Sequence, residues 1–302
     1  DVMSSGWGEI NTDLGYVMKR GKWQNLTGIN YFNYSFPQDR NGDGFTDIAL
    51  SDRISVFSKW SGTKSKKENP SLAVRYIYED RWGGQMDWSK RWRGTDSVYG
   101  ESIYTNRAEI FGNMPIQLFN NSLRFQYSAS LHDQNSAYGT TLYNAKQWIG
   151  FAQLLWDRTF NLRHDLLTGV SYRYVWFDDN TAATREFTGN KNKPDITLLP
   201  GVFMQHNWKL YSKHTLLSGL RYDLDSLHGS ILTPRINYKF MPDKYNTFRL
   251  GVGSGYRVAN IFTEDHAALT GAREVVFEGE IKPERSYNSH LHHTRFFSIT
   301  KG

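Results

Sequence analysis

The sequence has no cysteine and no long run of apolar residues. Without cysteine, the chain can form neither a disulfide nor a thiolate site. No apolar run approaches the length of a membrane-spanning helix, and no signal-peptide pattern opens the chain. The formal net charge of +6 is spread along the sequence, and no block resembles a stripe that binds nucleic acid. We therefore expect no nucleic-acid partner.

The motifs of common enzyme classes are also absent. The sequence contains no Gly-x-Ser-x-Gly elbow, no metalloprotease histidine pair and no Walker loop. Acidic residues are plentiful, but no two of them stand out as a general acid and a general base. We therefore expect a protein that is not an enzyme.

Aromatic side chains, in contrast, are abundant. Although hydrophobic residues make up only 39% of the chain, it contains 10 Trp, 18 Tyr and 18 Phe. A disordered chain would lack these aromatics. Two classes remain: a soluble all-β protein, and an outer-membrane barrel, which carries aromatic girdles and needs only half of each strand to be apolar.

Alternation of apolar and polar residues is the main periodicity. The stretch LRFQYSASLH (residues 123–132) is apolar at odd positions and polar at even ones, and residues 72–79, 170–176 and 235–240 follow the same pattern. The apolar positions favour Tyr, Phe and Trp over the Val, Ile and Leu of a sandwich core. The strands also look long enough to cross a bilayer at a tilt. The pattern predicts an all-β fold, a transmembrane antiparallel β-barrel, with about thirteen strands.

Short turns alternate with long polar loops along the chain. The short turns are expected around residues 20–23, 119–121, 159–163, 211–214 and 242–245. The long loops are expected at residues 37–50, 80–98, 133–144, 178–194 and 258–284. Outer-membrane barrels have short periplasmic turns and long extracellular loops, so this alternation supports the barrel. The short connection near residues 226–229 is an exception.

Three glycines two residues apart mark the segment FRLGVGSGYR (residues 248–257). Because side chains alternate between the faces of a strand, Phe248, Leu250, Val252 and Tyr256 are predicted to face lipid. Glycine on an inner wall allows another segment to approach the backbone. A dinucleotide-binding fingerprint would need glycine at position 256 and a helix after it. The residues predicted to face inward are Arg249, Gly251, Gly253, Gly255 and Arg257.

The second half of the chain resembles TonB-dependent outer-membrane receptors. The resemblance is carried by GYRVANIF (residues 255–262) and IKPE (residues 281–284), with Thr233-Pro-Arg235 before them, in the order that the family shows. It is specific over residues 233–290, and the strand pattern before them is consistent with it. Val258-Ala259, in place of the usual Ala-Pro, resembles the branch common in Bacteroidetes.

The resemblance implies a 22-stranded barrel around an N-terminal plug, which the inward-facing row at residues 249–257 would contact. Residues 1–302 would then be a partial barrel domain with both ends truncated, lacking the plug, the TonB box and a closing aromatic residue. The implied function is import of a scarce, bulky nutrient across the bacterial outer membrane: a ferric siderophore, cobalamin or haem. A passive porin-like channel and a soluble calcium-binding β protein are the alternatives.

The resemblance also implies partners. The TonB–ExbB–ExbD motor would act through a part of the protein outside these residues. Outer-membrane lipid and lipopolysaccharide would surround the barrel, and a surface lipoprotein is a candidate partner at its mouth.

A calcium-loop pattern occupies the first long connection. Asp39, Asn41, Asp43 and Asp47 place oxygen side chains at positions 1, 3, 5 and 9, and Phe45 would offer its backbone carbonyl at position 7. The bidentate Glu at position 12 and the flanking helices of an EF-hand are lacking. The spacing predicts a structural calcium ion in an extracellular loop. A turn cluster without metal is the alternative, since Asp, Asn and Gly favour turns.

Two further sets of residues are candidates for contact with a ligand or partner. The stretch WGGQMDWSKRWR (residues 82–93) is dense in Trp and Arg, which suits either such a contact or an interfacial girdle. Two histidines near the end of the chain share one strand face, predicted to line the lumen, where they could bind metal or haem or be polar wall residues. The candidates are Trp82, Trp88, Trp92, Arg93, His290 and His292.

Overall fold

The computed structural model describes residues 1–63, 69–118, 121–186, 191–257 and 282–297, which form one antiparallel sheet. Its strands are β1 (Val2–Ser4), β2 (Ile10–Arg20), β3 (Trp23–Tyr34), β4 (Leu50–Gly62), β5 (Ser71–Gly84), β6 (Gly100–Leu118), β7 (Asn121–Tyr138), β8 (Thr141–Asn161), β9 (His164–Asp179), β10 (Asp195–Tyr211), β11 (His214–Asp225), β12 (Gly229–Phe240), β13 (Asn246–Arg257) and β14 (Glu284–Arg295). Two single 3-10 turns, Lys90–Trp92 and Ala182–Thr184, lie in the loops. Among these residues no helix has the length and apolar character needed to span a membrane.

Each strand pairs with the next one along the chain. The order runs from β1 to β14 without a crossover, and every pair is antiparallel. The sequence predicted this arrangement with about thirteen strands, and the described residues contain 14. Hydrogen-bonded pairing is thus local in sequence throughout, with β1 and β14 at the two edges of the described sheet.

The register collects the apolar residues of neighbouring strands on one face, called the apolar face below. Val56 pairs with Tyr76, Leu131 with Trp148, and Trp148 with Trp176. These side chains are not packed into a core, and Trp148 is 52% exposed. A continuous exposed apolar face of this size requires apolar surroundings, which a bilayer supplies.

The structure confirms most of the predicted short turns, but one of the predicted long loops is wrong. Arg20 and Trp23 pair directly, as do Tyr211 and His214. Residues 133–144, expected to be a loop, instead continue β7 and β8 and leave only a two-residue turn. The predicted turn at 119–121 and the loop at 258–284 lie largely outside the described residues.

The long hairpins extend the sheet well past the length that a bilayer requires. Strands β6 to β10 have 16 to 21 residues, whereas about 9–11 suffice to cross a membrane. A small buried cluster of Tyr138, Tyr143, Ala145 and Phe177 lies at their far end. The polar sequence of this region misled the prediction because a strand outside the lipid does not need an apolar face.

Pro200 lies inside β10, where a proline would remove a ladder donor. Leu198 directs its backbone groups toward Ser226, so Pro200, two residues later, directs its nitrogen to the same side. Pairing between β10 and β11 begins only at Gly201. The proline therefore stands just before the first pair on that side, where no donor is needed.

Candidate functional site: the polar face and its long-loop end

The face opposite the apolar face, called the polar face below, is lined with paired charges. The carboxylate of Glu109 accepts hydrogen bonds from Nε of Arg75 at 2.7 Å and from Nε of Arg107 at 2.6 Å. Farther along the sheet, Arg221 donates twice to the buried Asp223, at 2.7 and 2.6 Å. Pairing of this kind lowers the cost of burying a charge, so these particular charges are balanced locally on a polar wall.

The glycine row of β13 lies on the polar face, as predicted. A Cβ added to Gly251 would overlap the ring of His290 and lie 2.6 Å from Oδ1 of Asn237. At Gly253 the nearest atom would be 3.5 Å away, which is an ordinary contact. Neighbouring side chains within the sheet therefore already account for glycine at position 251. The prediction that Arg249, Gly251, Gly253, Gly255 and Arg257 contact a plug stays a prediction.

Tyr256 differs from the predicted alternation. Its hydroxyl lies 3.4 Å from Oδ2 of Asp225, which is on the same face as Asp223. Pairing between β12 and β13 ends at Arg235 and Gly253. Beyond that point β12 no longer fixes the orientation of β13, so the prediction that Tyr256 faces lipid is wrong.

The polar face contains a cavity of about 400 Å³ at its long-loop end. Arg81 and Glu101 reach the cavity from β5 and β6, and Tyr99 closes it from the connecting loop. The hydroxyl of Tyr99 donates to Oε1 of Glu101 at 2.8 Å. Partial burial, together with Glu101, raises the pKa of Tyr99 from 10.0 to about 12. The full lining is Phe45, Thr46, Ala49, Arg81, Trp82, Gly83, Gly84, Tyr99, Glu101 and Ile103.

The predicted calcium loop is folded around the carboxylate of Asp39. Its Oδ1 accepts from the backbone N–H of Gly42 at 2.7 Å and of Asp43 at 3.2 Å, and its Oδ2 accepts from Gly44 at 2.8 Å. Oδ1 of Asp43 accepts from the N–H of Phe45 at 2.8 Å. Gly44 has a φ of 83°, a left-handed conformation that glycine adopts without strain. The sequence thus forms the tight turn that its spacing predicted.

This loop is tied to the cavity. The N–H of Thr46 donates to the carbonyl of Gly84 at 2.8 Å, and the N–H of Met86 donates to the carbonyl of Gly44 at 2.9 Å. These bonds hold Phe45 against the cavity, with its ring centroid 6.5 Å from that of Tyr99. Any change in the loop would therefore reach the cavity wall through Phe45.

The calcium donors have suitable chemistry, since carboxylate and amide oxygens suit Ca²⁺. Asn41 and Asp43 contact each other at 2.9 Å, and Oδ2 of Asp47 accepts from the N–H of Arg40 at 2.8 Å. A carboxylate oxygen that accepts one hydrogen bond keeps a further lone pair. Within the described residues, however, no group of three or more His, Cys, Asp or Glu side chains is arranged to hold a metal ion. The calcium site therefore stays a prediction.

The tryptophan- and arginine-rich loop packs against the far end of the apolar face. Arg93 donates to Oγ of Ser102 at 2.6 Å and to Oδ1 of Asn135 at 2.5 Å. Nζ of Lys90 lies 2.5 Å from Oδ2 of Asp80, and this hydrogen bond raises the pKa of Lys90. By strand alternation Ser102, Asn135 and Asp80 continue the apolar face. Most of this loop therefore lies on the outside of the wall.

The three predicted tryptophans of this loop lie in different surroundings. Trp82 borders the cavity, and Nζ of Lys90 from the outer loop lies 5.7 Å from its ring centroid. Trp88 packs so closely on Gly100 that a Cβ there would overlap its indole. Trp92 lies beneath the guanidinium of Arg91, whose Cζ is 4.8 Å from its ring centroid. Contact of these residues and of Arg93 with a ligand or partner stays a prediction.

The two candidate histidines lie on the polar face of β14, where the sequence placed them. His290 is opposite Gly251, and His292 is opposite Arg249. A guanidinium beside His292 disfavours a cation at that position. A metal or haem role for this pair therefore gains no support from its described neighbours.

Comparison with known proteins supplies the family. The family model described as "TonB dependent receptor-like, beta-barrel" matches residues 6–289. The chain belongs to this family.

Solved structures of the same fold agree with the assignment. The FrpB iron transporter from Neisseria meningitidis superposes with a TM-score of 0.69 at 14% identity, over 96% of this chain and 50% of that one. The siderophore receptor PirA from Acinetobacter baumannii gives a TM-score of 0.66 at 12% identity, over 96% and 48%. At these identities the structures establish the fold alone. The sheet is therefore a stretch of barrel wall.

A curated relative is the iron-regulated outer membrane virulence protein of Vibrio cholerae. It is 30% identical over 91 residues, which are 30% of this chain and 14% of the relative. The chain spans about half the length of the solved structures that it matches. This TonB-dependent receptor barrel is located in the bacterial outer membrane, which excludes the soluble alternative, and the family supports the prediction that it is not an enzyme.

Sequence reasoning missed the cavity and the charge network of this receptor barrel. The charge network includes Arg75 and Glu109, which lie 34 positions apart in the sequence, and their pairing requires the register. Alternation gave the face of each residue but not its cross-strand partner. The motifs GYRVANIF and IKPE extend into residues 258–281, which lie outside the described residues.

Proposed function

We propose that the chain is barrel wall of a TonB-dependent importer of a scarce, bulky nutrient, a metal chelate of the ferric siderophore type. The observation that carries the proposal is the family match over residues 6–289. Relatives whose names refer to iron or siderophores support this substrate class ahead of cobalamin or haem. Energy would come from the TonB–ExbB–ExbD motor.

The cavity at the long-loop end is the proposed contact for part of the ligand. Arg81 offers a permanent cation to an anionic chelate, and the neutral phenol of Tyr99 offers a hydroxyl. Phe45 adds an aromatic wall, which the Asp39–Asp47 loop holds in place. A cavity of about 400 Å³ is open to one arm of a bulky ligand rather than to all of it.

Iron uptake by whole cells tests this proposal. The protein, with its native flanking sequence, is expressed in iron-limited cells that lack their own receptors. Uptake of radioactive iron is measured from a panel of siderophores and from haem, and uptake of radioactive cobalt is measured from cobalamin. We expect uptake of at least one chelate that stops when TonB is deleted. Uptake equal to that of cells without the protein, across ferric siderophores, haem and cobalamin, would rule the importer out.

A matched pair of variants tests the cavity. Arg81→Ala should weaken binding of the transported chelate by about tenfold, as expected for the loss of one charge-assisted contact. Arg91→Ala removes a guanidinium that is also exposed, from the outer loop, and should leave binding unchanged. Equal affinities for both variants would place the ligand elsewhere and leave the importer proposal intact.

We further propose that Ca²⁺ occupies the Asp39–Asp47 loop, and that lipopolysaccharide contacts the outer loop of Lys90, Arg91 and Arg93. The outer loop lies on the continuation of the lipid-facing surface, beyond the membrane span, where anionic sugars and phosphates meet basic and aromatic side chains. A surface lipoprotein remains a candidate partner at the mouth.

A further inference from the structure

A band of histidines and aromatic rings follows the short-turn rim of the apolar face. His164 begins β9, opposite Trp208 of β10, and His214 begins β11, opposite Phe240 of β12. In outer-membrane barrels this rim is the girdle, where tryptophan and tyrosine meet the lipid headgroups. Histidine adds a ligand nitrogen to that position, which an ordinary girdle lacks.

Two of these histidines are close enough to act together. Nδ1 of His164 lies 3.0 Å from Nε2 of His206. Their ring planes differ by 5°, and their centroids are 5.2 Å apart. Trp208 stacks on the pair, with its ring centroid 5.7 Å from that of His164 and 6.4 Å from that of His206.

The two nitrogens point nearly straight at each other in the hydrogen-bonded pair. A rotation of both rings toward a shared point would turn this pair into a metal chelate with the same nitrogen separation. For an ion about 2.0–2.1 Å from each nitrogen, the nitrogen–metal–nitrogen angle would be roughly 90°. That angle corresponds to two adjacent positions of a tetragonal or octahedral complex, the geometry that Cu²⁺ and Ni²⁺ prefer with imidazole ligands. Among the divalent first-row ions Cu²⁺ has the highest affinity for imidazole, so copper is the natural probe of the pair.

We propose that His164 and His206 form a two-histidine site for a divalent first-row transition ion of tetragonal preference, on the outer rim of the barrel. In the metal-free pair one ring donates to the other. Binding needs both facing nitrogens as lone pairs, so the remaining protons would sit on Nε2 of His164 and Nδ1 of His206. Neutral rings reach this state by a change of tautomer and release no proton. Water or lipid phosphate completes the coordination.

The other rim histidines lack a second imidazole at this distance within the described residues. Nδ1 of His214 lies 2.5 Å from the hydroxyl of Tyr238, and Nε2 of His293 lies 3.1 Å from Oδ1 of Asn246. His214 is therefore a matched control on the same rim. The proposal does not depend on the imported nutrient, because the pair lies on the opposite face from the cavity.

Copper titration of the full-length protein in lipid nanodiscs tests the site. We expect one Cu²⁺ whose electron paramagnetic resonance spectrum shows two equatorial nitrogens, with quenching of Trp208 fluorescence. His164→Ala and His206→Ala should each weaken binding at least tenfold and reduce the nitrogen count. His214→Ala should bind as the wild type does, and Trp208→Phe should remove the quenching but keep the binding.

The proposal is overturned by any of three results. They are a wild-type spectrum with fewer than two imidazole nitrogens, copper affinity unchanged in either His164→Ala or His206→Ala, and binding that is lost instead with His290→Ala. Heat-modified migration in electrophoresis verifies that each variant is folded. Because the probe is copper alone, failure of this test would leave the importer proposal untouched.

Discussion

Gly251 shows how one residue can have two physical explanations. The family would assign its missing side chain to a plug, whereas the sheet assigns it to the ring of His290 and the amide of Asn237. Gly251→Ala should destabilise the protein by about 1 kcal/mol at most, because the atoms that the methyl would meet are the ends of side chains that can rotate away. If the ring is the cause, the loss should shrink by at least half in a His290→Ala background. Denaturant titration measures both free energies of unfolding, and an equal loss in both backgrounds would favour the plug.

Tyr99 is expected to titrate at unusually high pH. Burial and Glu101 raise its pKa from the model-compound value of 10.0 to about 12. The unfolded chain therefore ionises this phenol from pH 10 upward, while the folded chain does not. Stability contributed by the neutral phenol is complete below pH 10 and is lost as pH rises toward 12. Wild type should lose stability relative to Tyr99→Phe across this window, and parallel unfolding curves there would contradict the shift.

The Asp39–Asp47 loop is the element most open to a direct test. Calcium at millimolar concentration, the range of extracellular sites, should slow proteolysis of the loop. Asp39→Asn should abolish the protection, because the carboxylate would bind the ion and also receives three backbone N–H groups. Asp96→Asn, in the neighbouring loop, serves as the control. Protection that is the same in both variants, or absent from the wild type, would favour the turn cluster without metal.

The hairpin of β7 and β8 is the element that differs most from the sequence prediction. Asp133 pairs with Lys146, and Tyr138 pairs with Thr141. Strand pairing therefore continues through residues 133–144 up to the two-residue turn of the hairpin. Their backbone amides should exchange hydrogen slowly, as strand amides do. The Asp39–Asp47 loop should exchange faster, since side chains rather than a ladder hold its amides. Mass-spectrometric exchange measures both segments, and rapid exchange at 133–144 would contradict the extended hairpin.

The existence of the strands was predictable because the alternation of apolar and polar residues depends only on the sequence of the strand itself. Residues 123–132 reveal their two faces without knowledge of any neighbour. Each described strand pairs with the next one along the chain, across short turns and long loops alike. Where a strand leaves the lipid, as at Asp133, alternation fades, and the prediction failed there. Cross-strand partners such as Arg75 and Glu109, and the proximity of His164 and His206, depend on register. A one-residue slip would place each of them on the opposite face.

The whole molecule poses the choice between a plugged receptor and an open channel. Part of the charge on the polar face is neutralised in local pairs, such as Arg221 with Asp223 and Arg75 with Glu109. A passive pore that attracts ions would present unpaired charge to its lumen. The full-length protein should therefore be nearly silent in planar-bilayer recording, because a plug would fill the lumen.

Adding a mild denaturant during the same recording provides an internal control for the silent state. Conditions that unfold a plug before the barrel should open a steady conductance in the same membrane, since barrels resist denaturant more strongly than the domains they enclose. A large conductance without denaturant would instead assign the molecule to the porin-like class. In that case the cavity beside Tyr99 would lie at the entrance of an open channel. The ion selectivity of that channel would then be the property to measure.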